Sequence, residues 1–174
     1  LTGAIFYITH HIIVKTALFL VSGMVEQRGG TADLKKLGGL IRSYPILAVL
    51  FLIPALSLAG LPPLSGFFSK FVLIRAGLES EQYLMVAVSL FVSVLTLFSM
   101  MKIWNEAFWK PRPESDEISP VNTLPSGSDW LRLMPIAILA LLSLLMGLGA
   151  EGIYTLTSTA AATLLQPELY ITAV

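Results

Sequence analysis

The 174-residue chain has no cysteine, is 55% hydrophobic and only 13% charged, and carries a formal net charge of zero. A soluble domain has about 25% charged residues, so with a mean hydropathy of +0.79 this chain lacks the side chains for a water-facing surface. Disulfides and thiolate metal sites are excluded, and the balanced charge offers nothing to nucleic acid or to an acidic partner.

The chain opens at Leu1 directly into an apolar segment. It has neither a basic leading region nor a small-residue cleavage site, so it reads as a piece that starts in mid-protein rather than as a signal peptide. A membrane helix needs about 20 mostly apolar residues. The first predicted span covers 2–25 and is ended by Glu26-Gln27-Arg28-Gly29-Gly30. A polar connection over 26–43 follows, with Asp33, Lys35, Lys36, the pair Gly38-Gly39, and Arg42.

The second apolar region, 44–78, would make a straight helix of about 50 Å, too long for one crossing. It is interrupted at Gly60-Leu61-Pro62-Pro63-Leu64-Ser65-Gly66. Adjacent prolines remove two backbone donors and the flanking glycines relax the dihedrals. The expectation is one span broken at Gly60–Gly66 into halves Pro45–Ala59 and Phe67–Leu78. Irregular backbone at membrane depth is tolerated only inside protein or beside water, so the break belongs in the bundle interior. A plain turn between two full spans is the alternative, which the lengths disfavour.

The third span, 82–108, becomes amphipathic at Lys102, Asn105 and Glu106. The linker over 109–130 holds four prolines and the solvated acids Glu114, Asp116 and Glu117. The fourth span is 131–148. The tail, 150–174, reads as an interfacial helix with an extended end. The fold class expected is thus an all-α membrane protein of about four transmembrane helices.

Lysine and arginine bias sets orientation. Arg28, Lys35, Lys36 and Arg42 fall in one connection; Lys102, Lys110, Arg112 and Arg132 flank the other. A single crossing by the broken region puts both on one side, the cytoplasmic one. Trp104, Trp109 and Trp130 fall at that edge as expected interfacial anchors.

Two lysines lie inside spans, where a charge costs about 2.5–3.5 kcal/mol on insertion scales. Lys15 is mid-way along the first; Lys70 follows the break. His11 and Lys15 are four apart and share a helix face, which Ser22 continues. His10 is about 100° round the helix from His11, so the two histidines cannot chelate one metal from this helix. No acid or cysteine stands near them, and no metal or cofactor is implied. A histidine titrates near neutral pH and a desolvated lysine can approach it, so Lys70, Lys15, His11 and His10 make stations for a proton relay. The structural alternatives are a histidine hydrogen-bonded to a neighbouring helix and lysines paired with carboxylates. Half-helix ends at Gly60, Pro62, Pro63 and Gly66 expose backbone groups of the kind transporters place around ions, with Ser57, Ser65 and Ser69 at hand. The same serines serve equally as partners for freed backbone groups. The pairs Arg75/Glu79 and Lys102/Glu106 read as surface pairs.

The stretches His10-His11-x-x-x-Lys15-Thr-Ala-Leu-Phe-Leu and Leu58-Ala-Gly-Leu-Pro-Pro-Leu-Ser-Gly-Phe-Phe-Ser-Lys70 strongly resemble the antiporter-like subunits. These are shared by complex I, membrane-bound hydrogenases and multi-subunit Mrp-type cation/proton antiporters. The end, Leu164-Leu-Gln-Pro-Glu-Leu-Tyr170-Ile-Thr-Ala-Val, is most similar to the D-type members of the Mrp branch. The resemblance implies the C-terminal part of a fold of roughly fourteen helices with two inverted repeats, each holding a broken helix. Lys70 then resembles the family's broken-helix residue at the outer end of a proton path, which some members replace with glutamate. Lys15 and His11 resemble the central hydrophilic axis, and the family's glutamate–lysine pair belongs to the other repeat. The implied protein is a multi-pass subunit of a bacterial plasma membrane. It would work with other membrane subunits, the lipid bilayer, protons and monovalent cations, through a lysine/histidine relay. A proton-pumping subunit of complex I or of a hydrogenase is the nearest alternative. A structural scaffold subunit without ion flux is another. A membrane-embedded enzyme would need an acid or nucleophile cluster that is not visible.

Overall fold

A computed structural model describes residues 1–112 and 127–166, and the described residues are all helix, turn or irregular structure. The acidic run at Glu114, Asp116 and Glu117 and the chain end from Pro167 lie outside the described residues, and with them most of the linker and of the tail motif.

Among the described residues seven α-helices follow in order: α1 Thr2–Gly29, α2 Leu40–Ser43, α3 Pro45–Ala59, α4 Ser65–Glu79, α5 Tyr83–Trp104, α6 Gly127–Leu148 and α7 Ala150–Leu165. Three segments are long and apolar enough to cross a membrane: Thr2–Gly29, Tyr83–Trp109 and Trp130–Leu148; Pro45–Ala59 is a shorter apolar helix. Hydropathy alone stops the first helix near Val25. It runs on to Gly29 because Glu26, Gln27 and Arg28 are good helix formers, and Gly30 then ends it in the left-handed conformation, φ 74°.

α1 is the central post, packed against α3, α4, α6 and α7. Its inner side chains Val21, Met24 and Val25 join Leu40, Leu47, Phe51, Ile136 and Ala140 in the core. α3 starts with proline at its first turn, where a missing N–H costs nothing. α5 turns its bulky apolar side chains outward, Leu84, Phe91, Val94 and Phe98 among them, as suits a lipid-facing helix.

The two basic connections meet at one end of the bundle. Gly39 N–H donates to the Lys110 carbonyl at 2.7 Å, Lys110 Nζ to the Lys35 carbonyl at 2.9 Å, and Arg112 to the Gly29 carbonyl at 3.0 Å. Side chains expected at this edge divide. Trp109 and Trp130 are exposed, but Trp104 is buried. It stacks between Phe51 and Phe108, at ring distances of 6.2 and 5.1 Å. Trp104 is therefore a core residue and not an interfacial anchor, because that stretch of α5 faces α3. Nor does Lys102 pair with Glu106. A π turn over Asn105–Trp109 carries the chain to Lys110, which takes Glu106 as its partner. Arg75 and Glu79 do pair, at 2.8 Å, fully in the open.

Candidate functional site: the helix break and its lysine

In an α-helix each carbonyl accepts from the N–H four residues on. The donors due to Leu58 and Ala59 would be Pro62 and Pro63, which have none. α3 therefore ends with two carbonyls stripped of donors by sequence. Lys70 takes both: its Nζ donates to the Leu58 carbonyl at 2.9 Å and to the Ala59 carbonyl at 3.1 Å. Its third donor goes to Ser93 Oγ on α5 at 3.0 Å. Ser93 donates its own proton to the Ser89 carbonyl at 2.9 Å, leaving its lone pairs to the ammonium. The cation also sits at the negative end of the α3 dipole. Gly60 is in the left-handed region, φ 92°, and a Cβ there would lie 2.9 Å from Lys70 Cδ. Glycine thus both turns the chain and leaves room for the lysine stem.

The other half-helix end faces inward. Ser57 (α3), Ser65 (α4) and Ser143 (α6) form a buried triangle with Oγ–Oγ distances of 3.1, 3.0 and 3.0 Å. Gly66 N–H, in the first turn of α4, donates to Ser57 Oγ at 3.3 Å. His10 Nδ1 is 2.8 Å from Ser65 Oγ, and His10 is wholly buried. Its Nε2 has no partner among the described residues. We assign the ring proton to Nδ1, since a bare buried lone pair costs less than a stranded N–H. Nδ1–H then donates to Ser65, and the three hydroxyls donate in turn round the triangle with none left over. Ser69 Oγ donates to the Gly66 carbonyl at 3.2 Å. The approach is close: a Cβ on Gly66 would fall 1.7 Å from the Ser57 carbonyl oxygen, and one on Gly147 of α6 2.2 Å from that of Pro63.

A cavity of about 630 Å³ lies between α1, α4 and α5, lined by Tyr7, His11, Lys15, Lys70 and the α5 hydroxyls Ser89, Ser93, Thr96 and Ser99. It brings together His11, Lys15 and Lys70. His10 is not among its lining residues and faces the serine triangle instead. His11 stacks on Tyr7 at 5.7 Å. A second cavity of about 360 Å³ shares Lys15, Leu58 and Met100 with the first and reaches Ser22, Glu26 and Thr31. Lys15 thus borders both, and Ser22 extends its stripe as the helical spacing predicts. Among the described residues no three His, Cys, Asp or Glu side chains gather as a metal site.

Sequence reasoning passed over Ser93 and Ser143. Ser89, Ser93, Thr96 and Ser99 recur at spacings of four, three and three, one face of a helix. That stripe was legible inside an otherwise apolar span. Ser143 is a lone hydroxyl in the apolar run of α6 and carries no comparable signal.

Residues 1–96 match the family model described as NADH:quinone oxidoreductase/Mrp antiporter, transmembrane. The chain is 48% identical over its whole length to the D subunit of the Na(+)/H(+) antiporter of Alkalihalophilus pseudofirmus, of which it covers 34%. It is 43% identical to the D subunit of the Na(+)/H(+) antiporter of Bacillus subtilis, covering 99% of this chain and 34% of that one. It therefore spans about a third of the length of these relatives. A solved Mrp complex from Dietzia sp. DQ12-45-1b contains a chain that superposes with a TM-score of 0.86 at 35% identity, over 99% of this chain and 39% of that one. The break, its lysine and the histidine pair fall within the matched residues, and the chain belongs to the NADH:quinone oxidoreductase/Mrp antiporter transmembrane family.

Proposed function

We propose that this chain supplies part of the proton path of a multi-subunit sodium/proton antiporter of the Mrp type, as a portion of its D subunit. The observation that carries the reading is Lys70. Its ammonium is held among spanning helices by two orphaned carbonyls and a hydroxyl, and it opens into the cavity that His11 and Lys15 also line. A cavity of that size with five hydroxyl-bearing side chains along it accommodates a chain of waters, and lysine and histidine can pass protons through such a chain. His10 enters through the serine triangle, whose hydroxyls can reverse their donating order. The names of the relatives favour an antiporter over the redox-coupled branch of the same family. The lysines and arginines gathered at one end of the bundle support a cytoplasmic position for that end. The other subunits and the remaining helices complete the path.

The test is Lys70→Ala in the whole protein with its partner subunits. Antiport, followed by dye quenching in membrane vesicles, should be lost while the complex still assembles on a native gel. Full antiport in an assembled Lys70→Ala complex would remove the proposal.

A further inference from the structure

The Lys70 ammonium occupies a seat made wholly of oxygens: two backbone carbonyls at a half-helix C-terminus and one serine hydroxyl, at 2.9–3.1 Å. Such carbonyl and helix-end oxygens are what membrane proteins use to replace the hydration shell of an alkali cation. We propose that the Leu58 carbonyl, the Ala59 carbonyl and Ser93 Oγ form a monovalent-cation site, with the protonated Lys70 as a tethered occupant that a sodium ion displaces. The proposal rests on the antiporter reading and deepens it by naming where cation and proton compete.

Three features of the seat support exchange. The carbonyls have no backbone donor to claim them, because Pro62 and Pro63 carry no N–H, so their lone pairs are free to take either cation. Lys70 reaches the seat on a long flexible stem from α4, while all three oxygens stand on α3 and α5. The amine can therefore leave without moving the oxygens. The seat also opens into the polar cavity, which gives a hydrated ion access and leaves water to complete its coordination. The titratable groups lining that cavity are Tyr7, His11, Lys15 and Lys70, all from α1 and α4; α3 and α5 contribute none. No carboxylate lines it among the described residues. The three oxygens are themselves uncharged, so the seat carries the charge of its occupant, beside the Lys15 and His11 that share its cavity.

The step balances simply. Lys70 gives one proton to cavity water or to His11 and withdraws as a neutral amine. One sodium ion sheds part of its water and takes the three oxygens, slightly drawn inward around the smaller ion. Both cannot sit there together, since two unit positive charges would share the same oxygens in a poorly screened place. One proton out for one sodium in is the stoichiometry of exchange at this seat.

The experiment is equilibrium binding of radioactive sodium to the purified whole complex as a function of pH, with wild type, Lys70→Met and Lys70→Arg compared. In wild type, sodium binding at the seat should compete with protons, its apparent affinity rising by about tenfold per pH unit until the lysine is discharged. Lys70→Met vacates the seat, so one extra sodium per complex should bind with an affinity independent of pH. Lys70→Arg fills it permanently, so the seat should take no sodium at any pH, one fewer per complex than wild type at alkaline pH. If Lys70→Met proves too unstable to purify, wild type against Lys70→Arg decides. The proposal is overturned if Lys70→Arg binds as much sodium as wild type at alkaline pH. It is equally overturned if Lys70→Met binds no more than wild type at acid pH. Loss of antiport in Lys70→Ala together with either of those results would sink the cation seat alone and leave the proton path standing.

Discussion

Lys70 Nζ stands 2.9 Å from the Leu58 carbonyl, whose donor in a continued helix would be the N–H that Pro62 lacks. The same holds one residue on, for the Ala59 carbonyl and Pro63. The prolines thus do more than stop a helix: they reserve two acceptors for a side chain eleven and twelve residues away. Replacing both by alanine restores two competing donors. The double variant Pro62→Ala/Pro63→Ala should assemble but lose most of its antiport, about tenfold or more if the carbonyls forfeit roughly 1.4 kcal/mol of preference for the ammonium. Vesicle dye quenching read beside a native gel checks this. Undiminished transport would mean that the freed carbonyls are not what holds the lysine.

Ser93 gives the ammonium its third acceptor. A hydrogen bond to a charged group contributes about 1.5–3 kcal/mol, and this one borders a wet cavity, so the lower end applies. Ser93→Ala should cut transport about tenfold, and Ser93→Thr, which keeps the hydroxyl, should recover most of it. Ser99→Ala, on the same stripe but without a bond to Lys70, should do much less. Equal losses at 93 and 99 would point to cavity wetting instead of a direct contact.

Gly66 tests the packing of the break. Its missing Cβ leaves space that the Ser57 carbonyl fills, at 1.7 Å from where the carbon would be. That neighbour is backbone and cannot rotate away, so Gly66→Ala must push α4 off α3. Overpacking of this kind costs about 1–3 kcal/mol and sometimes more, and here it also pulls Ser65 from the triangle. The yield of assembled complex should collapse. Gly152→Ala on α7, where the Cβ meets open space, should assemble as wild type does. Normal assembly of Gly66→Ala would show that the two half-helices are not locked at this point.

Arg75 and Glu79 pair at 2.8 Å but stand 72% and 62% exposed. Screened pairs of this kind hold little. Arg75→Ala should leave both assembly and antiport unchanged in the same assays, a control for charge loss on the helix that carries Lys70. A marked defect would mean that this exposed face of α4 meets a partner.

Much of this architecture was readable from local rules. Hydropathy placed the apolar segments, Gly-x-Pro-Pro placed the break, and the spacing of four put His11 and Lys15 on one face. The all-helical membrane fold followed from those features, and the family from the resemblance carried by the stretches around Lys15 and Lys70. Trp104 went astray because position near a span end does not reveal which side of the helix faces the core. Glu106 went astray because a π turn changes which neighbour comes within reach. The hardest part to read was tertiary: Ser143 is 78 residues from Ser65 in sequence yet 3.0 Å from it in space. Only the crossing of α6 over the break, allowed by Gly147, brings them together.

That crossing closes the hydroxyl triangle, and its arithmetic yields a prediction in energies. With all three serines present, three O–H groups serve three Oγ–Oγ contacts, while His10 and the Gly66 N–H each donate in from outside. Ser143→Ala leaves two hydroxyls facing one another. One of them must strand its proton, unless His10 changes tautomer and strands its Nε2–H instead. A buried unsatisfied donor costs about 1–3 kcal/mol, so the unfolding or dissociation midpoint of the complex should drop measurably. Ser57→Ala strands the hydroxyl of Ser143 and also deprives the Gly66 N–H, so it should cost more than Ser143→Ala. The double variant strands two donors where the single variants together strand three. Its cost should therefore fall short of their sum by about one stranded donor, a coupling of at least ~1 kcal/mol. Thermal dissociation of wild type, both single variants and the double variant measures the cycle. Strict additivity would mean that the three hydroxyls do not act as one closed ring.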